Sequence, residues 1–315
     1  MDAIPRIAIA CQGGGSHTAF TAGVLQRVLA SDAHIVGLSG TSGGAICALI
    51  AWFGLLLGQR AEGARRLDAF WESNAAASLP DWLLNEWIIG TSRLRGRVAL
   101  PELSPYEVPD WAQQQLRERI AAQVDFAAIP GLLGPASPRL YVGAVDVLSG
   151  AFTVFRDAAV SADAVLASAA IPDFFRAVAI GEGAARRYFW DGLFSQNPPV
   201  RELTETRPDE LWVVQINPST RAAVPHAPED IADRRNELAG NLSLEQELHF
   251  IDKINALLAD GCFPDGRYKP IAVRRIRLQR ELDYASKLDR DPGFIRGLIE
   301  EGRRTADAFL AARCG

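Results

Sequence analysis

HIVGLSGTSGGA, residues 34–45, joins an apolar run directly to a glycine-rich turn, and the rest of the fold follows from this arrangement. The next stretch, AICALIAWFGLLLG (residues 45–58), is apolar throughout and predicts a buried helix. It is shorter than the roughly 20 residues that an apolar helix needs to cross a bilayer. A strand, a tight turn and a helix in this order are typical of a parallel sheet with helices packed on it.

The residues before this stretch show the same order. RIAIA (residues 6–10) predicts a strand, and CQGGGSHTAFTAGVL (residues 11–25) places three consecutive glycines before a helix expected near Ala19 to Ala30. Glycines permit positive φ and let main-chain N–H groups approach a small anion. Because both turns follow neighbouring parallel strands, we expect them at the same edge of the sheet, where open α/β sheets hold their sites.

The remainder of the chain continues the α/β pattern, and we predict a single domain over residues 1–315. RLYVGAVDV and AFTVFRD predict a hairpin joined by LSG, and further strands are predicted for RYFWDGLF, ELWVVQINP and IAVRRIRLQ. Residues 75–138 are rich in proline and tryptophan, which indicates a lid-like insertion.

The C-terminal region, residues 228–315, predicts mostly helix. Ser243 with Gln246 fits a capping box, and Asp291 before Pro292 fits an N-cap with proline at the first helical position. We therefore expect helices to begin at these two places.

Composition excludes several classes of partner. Of the 315 residues, 48% are hydrophobic and 23% are charged, and the formal net charge is -5. This charge gives no long-range attraction for nucleic acid or for an anionic bilayer. We expect no nucleic-acid partner, and any membrane contact has to be local and apolar.

The cysteines and the N-terminus bear on cellular location. The four cysteines show no paired spacing, which indicates free thiols in a reducing compartment. MDAIPRIAIA lacks the basic start and the longer apolar stretch of a signal peptide. We expect a cytoplasmic protein, peripheral where it meets a membrane, with no signal peptide and no transmembrane helix.

The turn in GLSGTSGGA contains the pattern G-x-S-x-G at Gly40, Ser42 and Gly44. Between a strand and a helix, this pattern is typical of a nucleophile elbow, in which the glycines permit a strained turn with the serine at its apex. An ordinary turn explains the pattern about equally well. The case is strengthened by the glycines at residues 13–15, whose amides can supply the hydrogen-bond donors that a tetrahedral oxyanion requires.

Two nucleotide-binding interpretations of the glycines fit poorly. A dinucleotide fingerprint requires a third glycine where Thr18 stands, and an acidic residue at the end of the second strand, which HIVGLSG lacks. A P-loop requires lysine after the glycines, and Lys253 is the first lysine in the chain.

The base that would deprotonate the serine has more than one candidate. His226 or His249 could complete a triad in the chain order Ser, Asp or Glu, His. Asp191 follows an aromatic strand and precedes Gly192, which could place its carboxylate at a strand end near Ser42. A plain Asp-Gly turn is the alternative for Asp191.

Four segments in this order resemble the patatin-like phospholipases: GGGSHTAFTAGVL, GTSGGA, LASAAIPDFFRAV and WDGLFSQNPPV. The similarity extends through LSPYEVPDW, QVDFAAI, VVQINPSTRAAVP and DRRNELAGNLSLEQEL, which look like one bacterial branch of the family. The chain departs from the family at His17 and Thr18, where Arg or Lys followed by Gly is commoner. It also has Asp-Gly-Leu where Asp-Gly-Gly is commoner.

The resemblance implies a fold and a set of site residues. The fold is a three-layer α/β/α sandwich with a mainly parallel central sheet. Ser42 would be the nucleophile and Asp191 the general base, in a dyad without metal or cofactor. The remaining site residues implied by the resemblance are the oxyanion-hole glycines Gly13, Gly14 and Gly15, and the supporting glycines Gly40, Gly44 and Gly192.

The resemblance also implies an activity. We expect a serine acyl hydrolase that cleaves lipid carboxylic esters of the phospholipase A, lysophospholipase or lipase type through an acyl-enzyme intermediate. Residues 75–138 could line or cover the acyl chain, or rest on a membrane surface. The alternatives are a lipid-binding pseudo-hydrolase without turnover and a triad esterase that depends on a histidine.

Overall fold

The computed structural model describes residues 4–94, 104–264 and 266–314. The strands are β1 (Arg6–Cys11), β2 (His34–Gly40), β3 (Arg139–Asp146), β4 (Phe152–Arg156), β5 (Val178–Ile180), β6 (Arg187–Asp191), β7 (Glu210–Gln215) and β8 (Ala272–Arg277). The helices are α1 (Ala19–Ala30), α2 (Gly43–Leu56), α3 (Arg60–Asn74), α4 (Leu79–Leu94), α5 (Trp111–Gln123), α6 (Ile129–Leu132), α7 (Ala162–Ser168), α8 (Pro228–Ala259) and α9 (Pro292–Cys314).

The strands form one mostly parallel sheet in the order β5-β6-β3-β2-β1-β7-β8, with β4 paired to β3. The pairs from β3 through β2, β1 and β7 to β8 are parallel, whereas β4 and β6 run antiparallel to β3. The predicted parallel sheet and the predicted hairpin of β3 with β4 are therefore confirmed. All six residues of β7 are buried, as expected for an apolar strand between two parallel neighbours.

Helices cover both faces of the sheet because alternate residues of each buried strand point to opposite sides. In β1, Ile7 and Ile9 belong to a core that also contains apolar residues of α1, α2 and α9. Ala8 and Ala10 belong to a second core, which includes Leu244 of α8. The sheet therefore lies between two helical layers, in agreement with the predicted α/β architecture.

Two strands share one edge of β3. β4 pairs with residues 141–145 of β3. This range overlaps the residues that pair with β2 (139–142) and those that pair with β6 (144–146). Because β4 occupies one edge of β3, both β2 and β6 must lie on the opposite edge. β2 runs parallel to β3 and β6 runs antiparallel to it. The carboxyl ends of β2 and β6 therefore point at each other, which brings together the segments that follow Gly40 and Asp191.

The two predicted helix starts in the C-terminal region have different outcomes. Asp291 caps α9, because its Oδ1 accepts a hydrogen bond from the Phe294 amide at 2.7 Å. The predicted capping box at Ser243 is wrong, since α8 runs through this position without interruption. The Ser243 hydroxyl instead accepts a hydrogen bond from the Asn197 amide at 3.0 Å.

The segment 75–138 contains α4, α5 and α6, and residues 95–103 within it lie outside the described residues. Its role as a lid stays a prediction. Within the described part of the chain, no helix is both long enough and apolar enough to span a bilayer. The apolar helix α2 belongs to the core, where Trp52 is fully buried.

We predict that Gly302→Ala destabilises the protein, because α9 crosses α1 at this glycine. A Cβ atom at Gly302 would lie 2.1 Å from the carbonyl oxygen of Phe20, and overpacking of this kind costs about 1–3 kcal/mol. The matched control in the same helix is Gly297→Ala, whose Cβ would meet only the Arg280 guanidinium at 3.9 Å. The unfolding free energy of this control should rise by about 0.5–1 kcal/mol, because alanine loses less conformational freedom than glycine within a helix. Urea unfolding measures the change in unfolding free energy for each substitution, and equal changes would contradict the close helix crossing.

Candidate active site

Ser42 occupies a strained turn between β2 and α2. Its φ is 56° and its ψ is -133°, a combination that side chains other than glycine rarely adopt. Glycines make the turn sterically possible, since a Cβ atom at Gly44 would lie 2.3 Å from the carbonyl oxygen of Cys11. The Ser42 amide is already used, because it lies 3.1 Å from the carbonyl oxygen of Ser168 and 3.0 Å from its Oγ.

Asp191 is the last residue of β6, and it is buried with 1% of its surface exposed. Its Oδ1 accepts a hydrogen bond from the Leu193 amide at 2.7 Å. Its Oδ2 is buried and has no hydrogen-bond partner among the described residues. One carboxylate oxygen is therefore held in place and the other is free to accept a proton.

Burial raises the pKa of Asp191 to about 7, while the Leu193 amide, the Ser42 hydroxyl and the Lys287 ammonium group act in the opposite direction. The Ser42 hydroxyl thus lies within electrostatic reach of the carboxylate, although no formed hydrogen bond joins them. A carboxylate with a pKa near neutrality suits general base catalysis far better than one near its usual pKa. The structure therefore brings the two predicted dyad residues together.

Gly192 permits the close approach of the Asp191 turn to β3 and to the residue before Ser42. A Cβ atom at Gly192 would lie 2.5 Å from the carbonyl oxygen of Gly143 and 2.9 Å from Cγ2 of Thr41. Gly40 permits the tight turn from β2 into α2, because a Cβ atom there would lie 2.5 Å from the Cα of Ala45.

The glycine loop after β1 lies directly beside the serine. A Cβ atom at Gly13 would lie 2.9 Å from the Cβ of Ser42. The Gly13 amide donates a hydrogen bond to Asn197 Oδ1 at 2.7 Å, so its proton is not available to a ligand. The amides of Gly14 and Gly15 have no acceptor within the described ranges. Of the three predicted oxyanion donors, these two remain accessible for that purpose.

The departures from the family pattern at His17 and Thr18 are accommodated by the local structure. Thr18 has a φ of -72°, so its branched side chain causes no strain, and its hydroxyl donates to the carbonyl of Gly15 at 2.6 Å. His17 is buried, and its Nε2 lies 2.8 Å from Ser286 Oγ. Burial lowers the pKa of His17 to about 3, so the imidazole is neutral at physiological pH.

Contacts that support the loop were not found from the sequence, because they join the loop to distant segments. Gln12 Oε1 accepts hydrogen bonds from the amides of Ile216 at 2.8 Å and Asn217 at 2.9 Å. The Asn217 side chain in turn contacts Gly13 and Lys287. The segments that contain Asn217 (VVQINP, residues 213–218) and Lys287 (ASKL, residues 285–288) carry no local pattern that would have indicated contact with the loop.

A family model described as patatin-like phospholipase matches residues 9–204, a range that contains the glycine loop, Ser42 and Asp191. The chain belongs to the patatin-like phospholipase family. Membership implies lipid ester hydrolase activity, the typical activity of the family. A search of curated proteins found no match to this chain.

Solved structures that match this chain include VipD from Legionella pneumophila and the type III effector protein ExoU. VipD is 11% identical with a TM-score of 0.42, and the match covers 98% of this chain and 67% of VipD. ExoU is 16% identical with a TM-score of 0.38, and the match covers 98% of this chain and 53% of ExoU. The chain therefore spans about two thirds and about half of the lengths of these two proteins.

The two histidines considered for a triad lie on the surface of this patatin-like chain. His226 is exposed in the loop before α8, and His249 is exposed on α8. Neither is hydrogen-bonded to Ser42 or Asp191. In the part of the chain that the structure describes, no group of three or more His, Cys, Asp or Glu residues could hold a metal ion.

A cavity of about 710 Å³ lies on the α8 side of the patatin-like fold. Its lining includes Ser195, Gln196 and Phe250, but neither Ser42 nor Asp191. Gln196 connects its wall to the site only indirectly, because the Gln196 carbonyl accepts a hydrogen bond from the Thr41 hydroxyl at 2.6 Å. The cavity is therefore separate from the serine.

We predict that Asp191→Asn becomes more stable relative to wild type as pH rises. The folded-state pKa of Asp191 is about 7, whereas an unfolded aspartate has a pKa of about 3.9. The stability that comes from burying the protonated form is complete below about pH 4 and is lost as pH rises through about 7. At 1.36 kcal/mol per pKa unit, the difference in unfolding free energy between Asp191→Asn and wild type should change by about 2–4 kcal/mol in favour of the variant. Urea unfolding at pH 4 to 8 tests this, and a constant difference would show that the pKa is not raised.

Proposed function

We propose that this chain is a serine acyl hydrolase that cleaves lipid carboxylic esters through Ser42 and Asp191. The observation that supports it best is the position of Ser42, in a strained turn within electrostatic reach of a buried carboxylate, one oxygen of which has no hydrogen-bond partner in the described parts of the chain. The amides of Gly14 and Gly15, which have no acceptor within residues 4–94, 104–264 and 266–314, belong to the loop beside the serine. A nucleophile, a base and oxyanion donors therefore lie in one place.

The proposed reaction has two halves. In the first, Asp191 Oδ2 takes the proton of Ser42 Oγ while the oxygen attacks the ester carbonyl, and the amides of Gly14 and Gly15 stabilise the oxyanion. The alcohol leaves with the proton returned by Asp191, and an acyl-serine remains. In the second half, Asp191 deprotonates a water molecule that attacks the acyl-serine. The bond to Ser42 Oγ then breaks, Asp191 returns the proton to this oxygen, and the fatty acid is released.

The start of α2 favours the same chemistry. Because Ser42 directly precedes α2, the positive end of the helix dipole lies next to the nucleophile and stabilises negative charge on its oxygen. The buried carboxylate favours the dyad over the triad esterase, since the two histidines are exposed on the surface. Retention of both dyad residues favours an active enzyme over a lipid-binding pseudo-hydrolase.

An exposed apolar face on α4 supports a lipid substrate. Leu79, Leu83 and Trp87 are spaced four residues apart, so they lie along one side of the helix, with Trp82 beside them. Between 42% and 69% of the surface of each residue is exposed. Tryptophan and leucine on one face of a helix are typical of segments that rest in the interface of a bilayer. We propose that this face, called the α4 face below, contacts the lipid surface.

We predict that the dyad variants lose turnover while the histidine variants retain it. Ser42→Ala and Asp191→Asn should lower kcat on a short-chain ester by about 10³-fold or more, as expected when a member of a catalytic unit is removed. The double variant His226→Ala/His249→Ala should keep activity within about threefold, a margin too small to reflect loss of a catalytic group.

A fluorophosphonate probe provides an independent measurement for these variants, because it should label wild type at Ser42 and leave Ser42→Ala unlabelled. Loss of turnover in the double histidine variant would support the triad esterase instead. A folded wild type that neither labels nor hydrolyses any ester would support the pseudo-hydrolase.

We predict that Trp82→Ser/Trp87→Ser weakens binding to phosphatidylcholine vesicles by about tenfold or more, because burial of each aromatic side chain contributes about 1.5–3 kcal/mol. Hydrolysis of a soluble short-chain ester should be unchanged. The matched control is Phe250→Ser, which removes an aromatic side chain with 65% of its surface exposed from α8. Sedimentation with vesicles measures binding, and equal losses for the control and the α4 variant would contradict a specific lipid-facing surface.

A further inference from the structure

A short 3₁₀ helix, Ala285–Leu288, packs against the glycine loop on the side formed by the C-terminal region. A Cβ atom at Gly15 would lie 2.3 Å from the carbonyl oxygen of Lys287, so the two backbones are in direct contact. Gly15 has a φ of 56°, which glycine tolerates and other residues rarely adopt. Ser286 also contacts the loop through its bond with His17.

The Lys287 side chain reaches the loop through one intermediate residue. Lys287 Nζ donates a hydrogen bond to Asn217 Oδ1 at 2.8 Å. Asn217 Nδ2 donates to the carbonyl oxygen of Gly13 at 3.4 Å. A charged donor on one side of an amide polarises it and strengthens the hydrogen bond made on the other side. Lys287 therefore acts on the Gly13 carbonyl through Asn217.

Fixing this carbonyl also fixes a proposed oxyanion donor. The Gly13 carbonyl and the Gly14 N–H belong to the same planar peptide unit, in which they point in opposite directions. When Asn217 holds the carbonyl on one side, the Gly14 N–H is held pointing to the other. The next peptide unit is fixed in a similar way, since the Gly14 carbonyl accepts a hydrogen bond from the His17 amide at 3.2 Å.

The charged groups that face Lys287 come from two other elements. Asp233 and Glu237 of α8 and Asp191 of β6 all favour its protonated form. Burial acts against them and is the largest effect, lowering the pKa of Lys287 to about 8. The lysine is therefore mainly protonated at neutral pH.

The other neighbours of Lys287 do not neutralise it. Within its own segment, the ring of Tyr284 lies 5.6 Å from Nζ. Glu237 is already paired with Arg221 at 2.8 Å and with Arg234 at 2.9 Å. His17 is neutral, as described above. The positive charge of Lys287 therefore acts on Asp191 and favours its ionised carboxylate.

We propose that Lys287 is a positioning residue of the acyl-transfer site, which aims the Gly14 amide at the oxyanion through Asn217 and Gly13. This proposal rests on the proposed function. It adds a residue outside the range matched by the family model, residues 9–204.

The test compares Lys287→Met, which removes the charge, with Lys287→Arg, which keeps it. Lys253→Met is the matched control, because Lys253 is an exposed lysine on α8. Each protein is assayed with a short-chain ester between pH 5 and 9 to obtain kcat and KM. Hydrogen exchange is measured on the loop peptide, residues 11–19, and the free energy of unfolding is measured by urea titration.

We expect Lys287→Met to lower kcat roughly 10- to 100-fold, less than the loss of an oxyanion donor itself, with KM changed by less than about threefold. The acid limb of its pH profile should move to higher pH, since Asp191 loses a favourable charge. Exchange of the loop peptide should become faster. Lys287→Arg should recover part of kcat and the wild-type acid limb, and Lys253→Met should behave as wild type.

Several results would overturn the proposal. One is a Lys287→Met variant with wild-type kcat, pH profile and loop exchange. Another is a loss of kcat that is equal in Lys287→Met and Lys287→Arg, that parallels their loss of unfolding free energy, and that leaves the acid limb of the pH profile in place. This result would indicate that the lysine has only a structural role.

Hydrogen exchange separates this proposal from the proposed function. If wild type has no esterase activity but Lys287→Met still speeds exchange of the loop, the positioning contact stands and the proposed function fails. If wild type is active and neither exchange nor kcat responds to Lys287→Met, the proposed function stands and the positioning role fails.

Discussion

The site depends on one constraint, which is that β2 and β6 share a single edge of β3 end to end. Because β4 occupies the other edge, the two strands can only meet head-on, with the residues after each carboxyl end facing each other. Ser42 follows one strand and Asp191 ends the other. The close approach of their turns then requires glycine at Gly192, where a Cβ atom would lie 2.9 Å from Cγ2 of Thr41. Gly44 lets the Ser42 turn pack against β1, because a Cβ atom there would lie 2.3 Å from the carbonyl oxygen of Cys11.

This arrangement concentrates unfavourable local features in one place. Ser42 has a strained backbone. Among the residues that the structure describes, one buried oxygen of Asp191 has no partner and the amides of Gly14 and Gly15 have no acceptor. Each feature costs stability, and each is what an acyl-transfer site requires of a nucleophile, a base and an oxyanion hole. Natural sequences break local rules of this kind mainly at functional sites, where the surrounding structure compensates.

The compensation comes from contacts between the glycine loop and segments far away in the chain. Asn197 holds the Gly13 amide, Gln12 and Asn217 tie the loop to the end of β7, and Lys287 contacts it from the segment before α9. Two of these residues, Asn217 and Lys287, lie beyond the range matched by the family model, residues 9–204. The C-terminal region is therefore part of the support of the site as well as a layer of the fold.

The sequence by itself determined the local features: strand, glycine turn and helix at both ends of the site, the G-x-S-x-G pattern around Ser42, and an aspartate at a strand end. These features depend on spacing and residue type over a few positions, which a sequence displays directly. Among the candidate bases it favoured Asp191 over the two histidines through the resemblance to the family, and its capping box at Ser243 was wrong. Burial of Asp191, exposure of the histidines and the contacts of Lys287 arise from packing between residues far apart in the chain, so only the tertiary structure decided them.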